Sequence, residues 1–272
     1  MKRIRNDFHI HTLYSGHSGA DMTVTAILQA ARQAGLGRIL VLEHSPSVNT
    51  EVRAAICDDA YDPESTDRAH LCAIAADCRR LAPKGSVPIV HTGAEIDADP
   101  NRCDGTLLLR DHAGLDIIMA STHYLPNGRG FLSDRIEWPE PEKRRIYEEW
   151  FIWAMRVAAN PDVRILAHPG ALLCQLGIIG SFHGKVLDDF GKLLMVCKKY
   201  NTAFELNELL FRKKLNETQA ATYHEVVALA RDIGTPIATG SDAHHLEEIG
   251  VFTRCEAIAE RLDLRDEHFW LP

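Results

Sequence analysis

No Cys-x-x-Cys pair occurs among the seven cysteines (Cys57, Cys72, Cys78, Cys103, Cys174, Cys197 and Cys255), and their number is odd. A zinc ribbon and a disulfide framework are therefore both poor readings, and scattered thiols fit a reducing cytosol. No apolar run approaches the ~20 residues of a membrane span, and no apolar stretch follows the basic start Met1-Lys2-Arg3-Ile4-Arg5 to make a signal peptide. Positive charge is in deficit. With 30 Lys and Arg against 38 Asp and Glu the net charge is −8, which argues against a duplex-binding face. A small anionic substrate stays open, because bound cations invert the local sign of a site. There is no internal repeat and no low-complexity tract. The expectation is a cytoplasmic protein with neither a membrane nor duplex nucleic acid as partner.

What is present is a chain of 272 residues, 46% hydrophobic and 25% charged, an ordinary globular composition long enough for one barrel-type α/β domain over 1–272. Short apolar runs alternate with longer helical patterns. Strands are expected at Asp7–His11, Arg38–Leu42, Ile89–Ile96, Asp116–Ser121, Arg164–Ala167, Ala203–Leu206 and Pro236–Gly240. Helices are expected at Val24–Ala34, Asp67–Leu81, Pro141–Ala159, Leu187–Tyr200, Glu217–Ile233 and Val251–Arg261. This alternation points to a parallel sheet with crossover helices. A closed or distorted (β/α) barrel is the first choice and an open doubly wound sheet the second. Val48–Glu64 and Pro126–Pro141 read as long irregular loops, a class of segment that is functional or simply solvated.

Histidine carries the information. Of 14, seven fall at or just beyond the ends of expected strands. His9 and His11 are two apart, so they share a strand face and can grip one ion. His17 follows in the turn Ser15-Gly16-His17-Ser18-Gly19 and by itself reads as a loop histidine. Glu43-His44 closes the run Ile39-Leu40-Val41-Leu42, where a charged pair must be solvated, partnered or metal-bound. Glu95 lies in Gly93-Ala94-Glu95-Ile96-Asp97, His123 follows Ser121-Thr122, and His168 precedes the strand-ending Pro169-Gly170. Asp242 and His244 repeat the i, i+2 spacing of His9 and His11. In a parallel barrel the C-terminal strand ends converge on one mouth. The set His9, His11, His17, His44, Glu95, His123, His168, Asp242 and His244 then becomes one nitrogen and oxygen cluster. It exceeds one ion's capacity, implies two or three divalent metals, and suits zinc, manganese or iron. Of the remaining histidines, His91 and His245 adjoin the motifs. The aromatic run Tyr147–Met155 reads as barrel packing.

These ordered motifs resemble the polymerase and histidinol phosphatase (PHP) family of metal-dependent phosphoesterases, over nearly the whole chain from His9-Ile10-His11 to Gly240-Ser241-Asp242-Ala243-His244. The resemblance implies a distorted (β/α)7 barrel of parallel strands with three divalent metals at the C-terminal strand ends. By that analogy His9, His11, Glu95 and Asp242 hold the first metal, and Glu95 bridges to a second held by His123 and His168. His17, His44 and His244 hold the third. Where many members have Asp-His, this chain has Glu43-His44. The segment Phe204–Lys213 is similar to a Glu-x-Asn strand followed by a phosphate-binding arginine, which makes Arg212 the candidate; a solvated Arg-Lys-Lys helix start is the plainer reading. Arg129 and Arg135 are further substrate-binding candidates in the irregular loop.

The function expected from this set is hydrolysis of a small phosphate monoester, histidinol-phosphatase-like, by a metal-bound hydroxide. Asp242, Glu43 and His17 are the candidates for the catalytic proton donor. A phosphodiesterase acting on a cyclic or other small diester, and a nuclease-type module, are the alternatives.

Overall fold

The computed structural model describes residues 3–46, 50–57, 67–131 and 137–272. Its strands are β1 (Asn6–Ile10), β2 (Arg38–Val41), β3 (His44–Ser45), β4 (Ile89–Asp97), β5 (Ile117–Ser121), β6 (Ile165–Leu166), β7 (Ala203–Asn207) and β8 (Ile237–Gly240). All pair in parallel in the order β1-β2-β4-β5-β6-β7-β8. β3 continues the path of β2: Val41 pairs with Thr92 of β4, and His44 then pairs with Glu95. The chain therefore makes seven staves, one of them interrupted at Leu42-Glu43. The sheet curls until its edges meet, where Ile10 bridges Ala243 in parallel and His11 N–H donates to Ala243 O at 3.1 Å. This is the distorted seven-stave barrel expected, with β6 reduced to two residues.

The described α-helices are α1 (Val24–Gln33), α2 (Thr50–Cys57), α3 (Arg68–Leu81), α4 (Glu140–Ala158), α5 (Ala171–Gln175), α6 (Lys185–Tyr200), α7 (Glu217–Ile233) and α8 (Thr253–Arg261). In α1 the buried residues Val24, Ile27, Leu28 and Ala31 form the i, i+3, i+4, i+7 stripe that faces a sheet. In α4 both Trp150 and Trp153 are fully buried, so the aromatic run packs the barrel as expected. Inside the barrel, register puts Glu95 beside Met119, Met119 beside Ile165 and Ile165 beside Ala203. Registered partners in a parallel sheet share a face. Phe8, Leu40, Ile117, Met119, Ile165 and Ala203 therefore fill the interior below the site. Trp270 closes the far end, its ring 5.1 Å from Phe8.

Two stretches differ from expectation. Within Val48–Glu64, read as irregular, lies α2. Its Val52 and Ile56, four residues apart, pack with Tyr124 and Phe131 in a small satellite core, and residues 47–49 and 58–66 lie outside the described set. The short α5 follows Gly170, whose φ of 87° turns the chain straight from the β6 end into a helix. A Pro-Gly stop conceals that helix from any periodicity argument.

Beneath the site, Glu208 is buried, and its carboxylate accepts from the N–H groups of Arg254 and Cys255, both at 3.0 Å. It thus caps α8 from a distance, where Phe252 at the helix start provides no side-chain cap. Glu208→Ala is expected to lower unfolding stability by about 1–3 kcal/mol in urea titration. A loss too small to measure would show that water serves those amides equally well.

Candidate metal centre and substrate cavity

The ligand candidates collect at the C-terminal ends of the staves, as the motif positions require. His9 and His11 come from the end of β1, His44 from β3, Glu95 from β4, and His123 from just past β5. His168 follows β6, and Asp242 and His244 follow β8. All eight are buried. Two leave the strand direction sharply, with φ of 24° at His168 and 55° at Asp242. Left-handed backbone at non-glycine residues costs on the order of 1–3 kcal/mol each and persists where the surroundings enforce it.

Glu95 is the hub. Its Oε2 lies 3.3 Å from His9 Nε2, 3.4 Å from His11 Nε2 and 3.0 Å from His44 Nδ1. Its Oε1 lies 2.8 Å from His168 Nε2 and 3.4 Å from His123 Nε2. The two oxygens thus face two different groups of imidazoles. Asp242 Oδ1 sits opposite, 3.6 Å from His9 Nε2 and 3.4 Å from His11 Nε2. Eight of the nine expected ligands fall into overlapping trios whose donor atoms all lie within 4.8 Å of one another. The trios are His9-His11-Glu95, His9-His168-Asp242, His44-Glu95-His123 and His11-His44-His244. The ninth, His17, stands at the rim, its ring centroid 4.5 Å from that of His244 and 5.3 Å from that of His44.

A layer of carboxylates and carbonyls behind the ligands fixes which nitrogen faces inward. Glu205 Oε1 takes His9 Nδ1 at 2.8 Å, Glu43 Oε1 takes His11 Nδ1 at 3.2 Å, and Asp97 Oδ2 takes His123 Nδ1 at 3.1 Å. His17 Nδ1 meets Ser15 O and His244 Nδ1 meets Asp242 O, each at 3.0 Å. A carbonyl only accepts, so these Nδ1 atoms carry the proton and leave Nε2 with its lone pair free. His244 Nε2 is buried without a hydrogen-bond partner, and His44 Nδ1 meets Glu95 out of hydrogen-bond alignment. Orphaned buried nitrogens pointing into a carboxylate-lined cup fit a bound cation.

The electrostatics agree. Burial pulls the His9 imidazolium down, yet Asp242, Glu205 and Glu95 overcome it and hold the ring well above its ordinary value. Burial is likewise outweighed at His11, which Asp242 and Glu43 raise to about 9. Where rings face rings the result reverses. Burial, then His11, depresses His44 and takes His244 to about 2; burial, then His44, takes His17 to about 4. Burial opposes ionisation of Glu95, but His44, His9 and His123 hold it well below the usual carboxylate range. Without an ion, protons on a few rings balance the carboxylates; a divalent cation can replace them.

Glu43, expected as a proton donor, has its oxygens occupied by His11 Nδ1, the N–H and hydroxyl of Thr12, and the N–H of His44. Asp97 and Glu205 are not among the site residues expected from sequence, although Glu205 is the Glu of the Glu-x-Asn strand. The signal for Glu205 was its place inside the apolar strand Ala203–Leu206, where a carboxylate must be partnered. Gly240 makes room for it: a Cβ there would sit 2.1 Å from Glu205 Oε1 and 2.7 Å from His9 Cβ.

The cup opens into a cavity of ≈ 330 Å³ whose wall includes Phe131, Gln175, Asn207, Leu210, Lys213 and Lys214. His245 also lines it, whereas His91 does not. Of the three arginines expected at the substrate, Arg212 Nη1 pairs with Glu248 at 2.8 Å, and Arg129 pairs with Glu142 and Glu149. Neither lines the cavity. Arg135 lies outside the described residues.

The comparisons with known proteins follow the same lines. The family model of the PHP domain matches residues 7–209. Proteins named probable phosphatase from Vibrio parahaemolyticus and Caldicellulosiruptor bescii are each 24% identical, over 89% and 91% of this chain and 79% and 82% of theirs. One from Aliivibrio fischeri is 26% identical over 42% of this chain, and that match spans about half (49%) of the relative's own length. Among solved structures, the protein hisK of Listeria monocytogenes superposes with a TM-score of 0.68 at 19% identity, over 90% of this chain and 97% of that one. Histidinol phosphate phosphatase of Lactococcus lactis, complexed with zinc, L-histidinol and phosphate, superposes at 0.65 and 14% identity, over 95% and 93%. With the model spanning most of the sequence and the barrel and histidine cup in place, this chain belongs to the PHP domain family.

Proposed function

We propose that this protein, as one barrel domain over 1–272, hydrolyses a small phosphate monoester with three divalent ions held in the histidine cup. The carrying observation is Glu95, whose two oxygens face separate imidazole groups in the manner of a bridging carboxylate. His9, His11, Glu95 and Asp242 hold one ion, Glu95, His123 and His168 a second, and His17, His44 and His244 a third. Zinc, manganese and iron all suit this donor set. Bound there, such ions supply Lewis acidity and neutralise the charge of the reacting phosphate.

The chain's own groups do the positioning. Glu205, Glu43 and Asp97 hold three imidazoles in one tautomer and orientation, so each Nε2 faces the cup. Glu43 is assigned to this positioning, and the other two candidates, Asp242 and His17, line the cavity. Burial and His44 take His17 to about 4, and at Asp242 burial is outweighed by His9 and His11, which hold it well below the usual carboxylate range. Neither therefore holds a proton ready for a leaving oxygen at neutral pH. The cavity of ≈ 330 Å³ takes a small ester, and its apolar wall at Phe131 and Leu210 meets the organic part. We assign the cytoplasm as its compartment: the seven cysteines form no Cys-x-x-Cys pair, and scattered thiols fit a reducing cytosol. Among the described residues no helix is long and apolar enough to cross a membrane.

The test is a panel of L-histidinol phosphate, sugar and nucleotide monophosphates, cyclic phosphates and a 3′-tailed oligonucleotide, run on chelated and metal-reconstituted protein. Turnover of monoesters that chelation abolishes and zinc, manganese or iron restores is the expected result. Turnover confined to diesters would replace the reading with a phosphodiesterase, and turnover that ignores chelation would end it.

A further inference from the structure

The chain leaves β7 through Glu208-Leu209 and a five-residue π-turn, Leu210–Lys214, closed by Leu215 N–H donating to Leu210 O at 2.8 Å. Single π-turns are rare and tend to re-aim side chains at functional sites. Here residues four apart share a side: Leu209 with Lys213, and Leu210 with Lys214, all four lining the cavity. Arg212 falls on the other side, where Glu248 neutralises it at 2.8 Å and Ser241 O lies at 3.5 Å. Glu248 Oε2 in turn accepts from His244 N–H at 2.9 Å, so Arg212 braces the loop that carries a ligand.

The two lysines differ from the arginine in charge balance. Among the described residues neither makes an ion pair; Lys213 is exposed to solvent, and Lys214 is only partly so. For Lys214, partial withdrawal from water without a direct carboxylate contact costs free energy, which an anionic ligand offsets. Lys214 also acts electrostatically on His123, and Asp242 and Glu95 act on it, which puts its ammonium within reach of the cup. The rest of the cavity wall outside the histidine cup offers no cation, only Phe131, Ala171, Leu209 and Leu210 with the amides Gln175 and Asn207.

From this geometry we propose that Lys213 and Lys214, and not Arg212, are the side chains that grip the phosphate of the substrate. The inference rests on the phosphoesterase reading of the same cavity. Ammonium groups on flexible stems act as point charges and follow a phosphate as it becomes the free product, where a braced guanidinium could not.

Equilibrium dialysis of inorganic phosphate against zinc-reconstituted protein tests it directly. Lys214→Met is expected to weaken phosphate binding about tenfold or more, and Lys213→Met several-fold. Lys214→Arg, which keeps the charge, is expected to restore most of the affinity. On an ester that is turned over, KM rises more than kcat falls. Thermal melting of each variant separates loss of binding from loss of fold, and the charge-keeping variant decides any case in which Lys214→Met melts early. Phosphate binding indifferent to both lysines overturns the proposal, as does wild-type protein that binds no phosphate. Arg212→Met weakening phosphate more than Lys214→Met overturns it too. A protein that turns over no ester in the panel, yet binds phosphate through Lys214, keeps the grip and loses the esterase reading.

Discussion

Glu95→Gln is expected to empty the cup of metal and lower turnover by more than 100-fold. Glu95 lies within 3.4 Å of ring nitrogens of His9, His11, His44, His123 and His168, so one substitution touches five imidazoles at once. The amide replaces a carboxylate oxygen with an NH2 donor, which repels a cation and faces ring nitrogens that need an acceptor. Losing a group behind a ligand typically costs about 10–100-fold in metal affinity or activity, and a bridging ligand must exceed that. Elemental analysis after reconstitution, with turnover measured on the same sample, gives the result. A Glu95→Gln protein with wild-type metal content and rate would remove the bridge from the assignment.

Glu205→Ala is expected to reach the same cup without touching the cavity. Its carboxylate takes His9 Nδ1 at 2.8 Å, His168 N–H at 2.6 Å and Asn207 Nδ2 at 3.1 Å. Deleting it frees two ligands from different staves and strands three buried donors. Breaking a buried charged contact from one side costs about 3–5 kcal/mol, and loss of the orientation adds about 10–100-fold in metal affinity. The distinguishing readout is zinc titration of the folded variant, in which affinity drops while inorganic phosphate affinity per bound metal is retained. Unchanged zinc affinity would show that packing alone orients His9 and His168.

The staves were legible because each is a short apolar run ended by a ligand or turn residue. Seven expected strands, from Asp7–His11 to Pro236–Gly240, appear within two residues of their expected ends. The convergence of the candidate ligands at strand ends was legible on related grounds. A histidine or carboxylate closing a buried run must be solvated, partnered or metal-bound, and a set of them converging on one mouth favours the metal. α2 and α5 were not legible, since α2 is two turns long and α5 starts on a Pro-Gly stop. The groups behind the ligands were harder. Asp97 and Glu205 act through contacts to His123 and His9 from other staves, and sequence spacing carries no trace of such pairs. Lys213 and Lys214 read only as part of a solvated Arg-Lys-Lys start, because Arg212 stood out by resemblance and the sequence does not show which side of the turn Leu210–Lys214 faces the cavity.

The barrel meets itself between β1 and the residues after β8, joined there by the bridge of Ile10 to Ala243. His9 and His11 stand on one side of that join, Asp242 and His244 on the other, so the donors from opposite ends of the chain share a cup. An ion held between them would be a cross-link closing a long loop, from β1 to the residues after β8. Such closure removes the most freedom from the unfolded chain, and binding to the folded form alone adds stability by mass action. On the proposed assignment the ion would bind only where the join between β1 and the residues after β8 has formed, so metal loading and closure of the barrel would each favour the other.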